Sequence, residues 1–163
     1  MVEPRTLGTV AALLVTASFP FYVYGAWLMI DREQENVTWD LLVHHLSYIV
    51  PGLVLTTVPV VTWMAPRLLT QVSGLAMVHA FLGLQAYALL VFGLTGIVRI
   101  VQVKRAADLY DSDVDAAEVD LNDLHENMGA WRGRLRIGVF GYTAVWILAY
   151  LVGLYRYYLL YVA

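Results

Sequence analysis

Residues 71–98, QVSGLAMVHAFLGLQAYALLVFGLTGIV, contain no charged side chain other than the charge that His79 can carry. A run of about 20 apolar residues is long enough to cross the hydrocarbon core of a bilayer as a helix. Two more runs of this kind cover residues 7–30 and 41–65. A fourth covers residues 137–155, and an apolar, Tyr-rich tail that includes Arg156 extends this span to residue 160, giving 137–160. Only 14% of the chain is charged, against about 25% in soluble domains. The sequence therefore predicts an all-α integral membrane protein, a four-helix bundle forming one domain over residues 1–163.

The distribution of Lys and Arg predicts how this bundle is oriented. The loop after the first span and the long connection before the fourth share one side and hold seven bases: Arg32, Arg99, Lys104, Arg105, Arg132, Arg134 and Arg136. The other side holds Arg5, Arg67 and Arg156. Basic loops stay in the cytoplasm. We expect a multi-pass protein of the cell membrane, with both termini outside and residues 99–136 in the cytoplasm.

The connection 99–136 is acidic and carries a helical pattern. Its apolar residues recur at spacings of 3, 4, 3 and 4, namely Leu121, Leu124, Met128, Trp131 and Leu135. This spacing is typical of one face of a helix. Asp111, Ser112 and Asp113 are candidate N-caps. We predict a cytoplasmic acidic amphipathic segment that lies on the bilayer or against the bundle. A solvated charged loop is the alternative.

Small residues and prolines predict how the spans pack. Ala76 and Ala80 are four residues apart, as are Ala149 and Gly153, and such pairs let helix backbones approach closely in a membrane. Further glycines, Gly83, Gly93, Gly96, Gly138 and Gly141, have the same use. Two prolines, Pro51 and Pro59, predict a kinked second helix. The aromatic residues near the chain end, Trp146, Tyr150, Tyr155, Tyr157, Tyr158 and Tyr161, indicate an interfacial belt.

The four histidines are the candidate functional residues. Ionisable groups inside a membrane are costly and usually functional. His44 and His45 lie at the cytoplasmic end of the second span, and His125 lies in the adjoining connection, so these rings could meet as axial ligands of haem b. His79 enters from the outer side, where Met64 is its nearest candidate partner for haem or copper. The alternatives are a hydrogen bond to a neighbour for His79, interfacial anchoring for His44 and His45, and a solvated loop for His125.

Other classes of function have little support. The chain has no cysteine, which excludes thiolate metal sites and disulfides. It has no phosphate-binding loop, no nucleophile–base pair and no basic stripe for nucleic acid. Nothing in the sequence therefore argues for hydrolysis or phosphoryl transfer, and a role without catalysis is favoured over an enzyme. The excess of Asp and the single lysine, Lys104, are typical of a salt-adapted organism such as a halophilic archaeon.

The order of the histidine segments resembles a known family. LLVHHLSYIV, AMVHAFLGLQAYALL and the stretch from LHENMGAW into the last span resemble the YozB/CtaM-like family of small four-helix membrane proteins linked to maturation of haem–copper oxidases. The resemblance covers residues 41–161. It implies that His44 or His45, His79 and His125 hold the equivalent positions. Glu126 stands where that family has a base, and VVTWMAP lacks its further histidines.

Two functional hypotheses follow. The first is a respiratory-chain protein that binds haem b or copper through its histidines or assists cytochrome oxidase assembly, with oxidase subunits as partners in the lipid bilayer. The second is a cofactor-free scaffold subunit whose small-residue faces dock a larger membrane complex. A homo-oligomer is compatible with both.

Overall fold

Four long helices make up most of the chain. The computed structural model describes residues 3–30, 38–64, 74–110 and 119–163. We name the helices α1 (Pro4–Ile30), α2 (Trp39–Pro59), α3 (Gly74–Ala106) and α4 (Met128–Tyr161), and a π-helical turn, Val60–Met64, continues α2. Each α-helix is long and apolar enough to cross a membrane. The all-α fold with four candidate membrane spans is confirmed, whereas the side that the termini face stays a prediction.

The helices around the long connection are longer than the sequence predicted. Helix α3 continues past residue 98 to Ala106, and α4 begins at Met128 rather than at 137. The end of α3 is a left-handed cap, in which Asp108 has φ 53° and the Leu109 N–H donates to the Lys104 carbonyl over 3.0 Å. Residues with long basic side chains can remain in a helix close to the bilayer, because the charged ends of these side chains reach the membrane interface. The apolar runs alone therefore underestimate the lengths of α3 and α4.

The predicted acidic amphipathic helix is only partly present. Met128, Trp131 and Leu135 lie in the first turns of α4, whereas Leu121 and Leu124 lie in turns that precede it. Met128 is fully buried in the bundle, whereas the other four residues of the predicted apolar face are half-buried. The observed N-cap of α4 is Asn127. The candidate caps Asp111, Ser112 and Asp113 lie outside the described residues.

The connection after α3 packs against the start of α2 through aromatic and basic side chains. The rings of Trp39 and Tyr110 meet edge-on at 5.6 Å. Lys104 and Arg105 lie over these two rings, with Lys104 Nζ 5.1 Å from the centre of Tyr110. Burial raises the pKa of Tyr110. This cluster holds the basic end of α3 to the neighbouring hairpin.

The bundle consists of two antiparallel helix pairs. Helix α1 packs along α2, and α3 packs along α4 over the most extensive interface in the described structure. Gly93 and Gly138 lie back to back in the second pair, where a Cβ on Gly93 would come within 3.2 Å of Gly138 Cα. Gly96 packs on the backbone of α4 at Trp131. The predicted close packing is confirmed at these glycines, because only the missing side chains allow the backbones to approach.

Aromatic residues join the two pairs. Phe19 of α1 packs on Trp146 and Tyr150 of α4, at ring distances of 4.8 and 4.9 Å. The Tyr150 hydroxyl also shares a 2.8 Å hydrogen bond with Thr16. Trp146 and Tyr150 therefore pack at the seam between α1 and α4, and their assignment to an interfacial belt stays a prediction. Tyr155 and Tyr158 are exposed, as a belt requires.

Helix α2 is irregular at one of its two prolines. The α-helix continues through Pro51 and gives way to the π-helical turn directly after Pro59. Proline has no N–H to donate to the preceding turn, which explains a change in the hydrogen-bond pattern at this point. Thr56 donates to the carbonyls of Gly52 and Leu53 at 3.1 and 3.0 Å. These two carbonyls lie in the regular helix before the break.

Candidate ligand-binding cleft

A cleft separates the two hairpins at the end of the bundle where both termini lie. Its volume is about 260 Å³, and all four helices contribute to its walls. Direct contact between the hairpins runs mainly through α1 and α4, and α2 and α3 stand further apart. The cleft extends from Pro4 and Tyr161 at the helix ends to Thr56 and Tyr87 in the interior.

The cleft exists because small residues line it. Ala76, Ala80 and Gly83 line it from α3, and Ala149 and Gly153 line it from α4. Beyond its own turn of helix, no atom of the described residues lies within 4 Å of the position that a Cβ on Gly83 would occupy. Ala76 and Ala149 are themselves buried and the His79 ring rests against Gly153, so close packing of α3 on α4 accompanies the open space beside Gly83.

His79 lies in the wall of this cleft. The ring is half-buried and rests against Gly153 of α4, where an added Cβ would lie 2.8 Å from Nε2 and 2.9 Å from Cε1. Glycine is therefore required at position 153 to seat the ring where it lies. The described residues offer His79 no hydrogen bond. An imidazole in this position can serve a bound group as a donor, an acceptor or a ligand.

The hydroxyl groups of Thr56 and Tyr87 lie at the inner end of the cleft and bond to hydroxyls behind its wall. Tyr22 and Thr56 share a hydrogen bond of 3.0 Å, and Tyr22 and Tyr142 share one of 3.3 Å. The Tyr87 hydroxyl donates to Thr57 over 3.1 Å. These hydroxyls have partners within the protein, so they close the cleft without leaving a polar group unsatisfied.

His45 connects α2 to α1. Its Nδ1 lies 2.8 Å from the Gly25 carbonyl oxygen, and because a carbonyl only accepts, Nδ1 carries the proton. The neutral ring then has its lone pair on Nε2. Metal-binding histidines often have this arrangement, but a structural histidine that joins two helices has it as well.

The other two sequence-predicted histidines differ from His45. His44 is exposed and meets Tyr48 edge-on at 5.5 Å. His125 packs on Trp131 at 4.4 Å, and its Nδ1 accepts the Asn127 N–H over 3.0 Å. Neutral His125 therefore carries its proton on Nε2, which is the nitrogen that usually binds haem iron.

The predicted ligand pairs are not seen as contacts. The described structure records no hydrogen bond or ring contact between His125 and either His44 or His45. Nor does it place three or more His, Asp or Glu side chains where they could hold a metal ion. Met64 ends the π-helical turn, and its side chain lies outside the described residues. The pairing of Met64 with His79 and the pairing of His125 with His44 or His45 stay predictions.

Sequence reasoning singled out His79 but missed the cleft around it. The signal was the recurrence of small residues at 76, 80 and 83 in one helix and at 149 and 153 in another, on the same turns as the histidine. Periodicity cannot show whether two small-residue faces meet or enclose a space. Arg156, which also lines the cleft, was assigned only to topology.

A comparison of the sequence with family models gives one match, to a domain of unknown function, DUF7321, over residues 4–162. The chain belongs to this family. The DUF7321 match covers all four helices and the cleft between them. No curated protein and no solved structure matches the chain. The cleft and His79 are therefore the features of this DUF7321 member from which a function can be inferred.

Proposed function

We propose that this protein holds a lipophilic ligand in the cleft between its two hairpins and that His79 contacts the head group of this ligand. The observation that supports the proposal most directly is a cleft lined by all four helices with one imidazole in its wall. Its volume is close to the lower end of the range for ligand sites, about 300 Å³. An imidazole without a partner inside a membrane is costly, and a bound head group would offset that cost.

Haem b and copper are the ligands that the sequence favours. The residues that line the cleft fit haem better than copper. Imidazole is a common axial ligand of haem, so His79 could hold the iron of one haem from one side. The described lining contains no second His and no Met, so it does not fit a haem with two histidine ligands or a copper ion. Respiratory oxidase maturation, which the YozB/CtaM-like resemblance implies, is the setting that we propose for this role.

The cofactor-free scaffold receives less support. It requires small-residue faces that are open to a partner. Gly93, Gly96 and Gly138 are instead used within the α3–α4 pair. Ligand binding is therefore the function that we favour.

The test compares ligand retention in four variants purified in a neutral maltoside detergent. Gly83→Leu adds a side chain at a position that lines the cleft, where its Cβ would have no contact with the described residues beyond its own helical turn. Gly133→Leu is its matched control, because a Cβ at Gly133 would have equally free surroundings and Gly133 does not line the cleft. His79→Ala removes the imidazole, and His44→Ala is the control on the exposed pair.

Small molecules that copurify are measured by absorption spectroscopy, metal analysis and mass spectrometry of solvent extracts. We expect one lipophilic species that Gly83→Leu and His79→Ala both deplete and that the two controls retain. A Soret band with matching iron would identify haem. Equal content in all four variants would refute ligand binding in the cleft.

A further inference from the structure

We propose that the ligand is a single-chain lipid with an acidic head group, phosphate or carboxylate, and that Arg156 and His79 bind this head. This inference depends on the proposed function, since it names the class of ligand that the cleft binds. It arises from the charge, the depth and the width of the cleft.

The charges of the lining are of one sign. Arg156 is a permanent cation, His79 is the other ionisable group with a basic nitrogen, and the described lining includes no Asp or Glu. Arg156 follows Gly153, against which the His79 ring rests, by three residues, or about 4.5 Å along the helix. The cation and the imidazole are thus within one helical turn of each other. Arginine binds phosphate and carboxylate groups with two parallel hydrogen bonds.

The depth of these residues fits a head group. Arg156 lies five residues before the end of α4 at Tyr161, and His79 lies five residues after the start of α3 at Gly74, which places each about 7.5 Å from its helix end. A long basic side chain close to a helix end can extend its charged group toward the membrane interface. An acidic head at this level keeps contact with water while its chain enters the bundle.

The rest of the cleft fits a chain. From His79 to Tyr87, the cleft continues inward for eight residues of α3, about 12 Å. The walls along this path are formed by residues such as Ala80, Gly83 and Leu84, which offer apolar surface and little obstruction. A cleft of about 260 Å³ is small among ligand sites and suits one chain better than two chains or a macrocycle.

The experiment measures binding of three probes with the same ten-carbon chain, decyl phosphate, decanoate and decanol, by isothermal titration calorimetry in the neutral detergent. We expect the phosphate or the carboxylate to bind about tenfold more tightly than the alcohol, because a charge-assisted hydrogen bond is added. The ratio between the two acids identifies which head the site prefers. Equal affinity for all three probes would overturn the inference.

Variants separate the head from the chain. Arg156→Gln should reduce the preference for acid over alcohol to about twofold. Arg156→Lys should retain only part of it, because lysine keeps the charge but cannot form the two parallel hydrogen bonds. Arg136→Gln, which removes an exposed base at the opposite end, should leave the preference unchanged. If Arg156→Gln does not fold, the comparison of the three probes on the unmodified protein still shows whether the cleft prefers an acidic head group. A preference that survives Arg156→Gln in folded protein contradicts the role of this residue.

Gly83→Leu distinguishes the two levels of the proposal. If it abolishes binding of all probes but the unmodified protein shows no preference for acids, ligand binding in the cleft stands and the acidic head is wrong. If probe binding is unaffected by Gly83→Leu, the probes do not occupy the cleft and both proposals fail. Haem as the natural ligand would instead be recognised by its Soret band in the purified protein.

Discussion

Substitution of Gly153 by Ala tests how the cleft positions His79. The new Cβ would lie 2.8 Å from His79 Nε2, whereas ordinary contacts begin at 3.4 Å, so the ring must retreat by about 0.6 Å. The obstacle is a side chain that can rotate and not backbone, so the protein can accommodate the change. The position of the imidazole should change while the fold is kept.

The expected energies can be worked out separately. A displaced side chain costs about 0.5–1.5 kcal/mol if it leaves its preferred rotamer. Replacing glycine by alanine within a helix stabilises it by about 0.5–1 kcal/mol. The free energy of unfolding should therefore change by less than about 1 kcal/mol. Loss of one hydrogen bond to the ligand costs about 1 kcal/mol, which weakens binding about fivefold.

Two measurements check this prediction, with Gly133→Ala as the matched control because its new Cβ meets nothing. The first is the ¹⁵N NMR spectrum of the histidine rings in detergent, in which only the His79 signals should move. The second is calorimetry with decyl phosphate, which should show the loss of affinity. Unshifted His79 signals with unchanged affinity would refute the claim that contact with Gly153 positions the His79 ring. A loss of more than about 3 kcal/mol in the free energy of unfolding would show that this contact supports the fold.

Three further predictions concern stability, each measured by reversible unfolding in mixed detergent micelles. Gly138→Ala should destabilise the α3–α4 pair by about 1–3 kcal/mol, because its Cβ would lie 2.6 Å from Gly93 N, and Gly129→Ala, which meets no atom, should not. An equal loss of stability in the two variants would contradict the close packing of Gly138 on Gly93. His45→Ala should cost about 1 kcal/mol by removing the hydrogen bond to the Gly25 carbonyl, and no change would show that this bond contributes nothing. Burial raises the pKa of the Tyr110 phenol in the folded protein. The stability that the neutral phenol contributes to the fold is therefore present below its unfolded pKa of about 10 and is lost as the pH rises through the folded pKa. Tyr110→Phe should remove that part of the alkaline loss, and an unchanged pH profile would contradict it.

The sequence predicted the number and character of the helices because apolar runs of sufficient length have few alternatives in a membrane. The end of α3 and the start of α4 were misplaced, because charged residues such as Lys104 and Arg132 remain helical beyond the apolar run. The left-handed cap at Asp108 has no strong sequence signal, because glycine is the usual residue there.

The candidate site was predictable only in part. The cost of an imidazole in lipid drew attention to His79, and the structure places it in the cleft wall. The protonated nitrogens of His45 and His125 depend on a carbonyl in another helix and on a local backbone N–H, neither of which a sequence pattern shows. The space at Gly83 results from side chains that are missing, so it becomes visible only when the helices are assembled.

Photolabelling tests occupation of the cleft most directly. The protein in nanodiscs is irradiated with a diazirine-bearing fatty acid, and the labelled residues are mapped by mass spectrometry. We expect labels concentrated on the cleft-facing positions of 76–87 and 149–157, and their loss in Gly83→Leu but not in Gly133→Leu. Labels confined to outward-facing residues such as Phe81 and Phe140, with no effect of Gly83→Leu, would contradict the proposal that the cleft holds a lipophilic ligand.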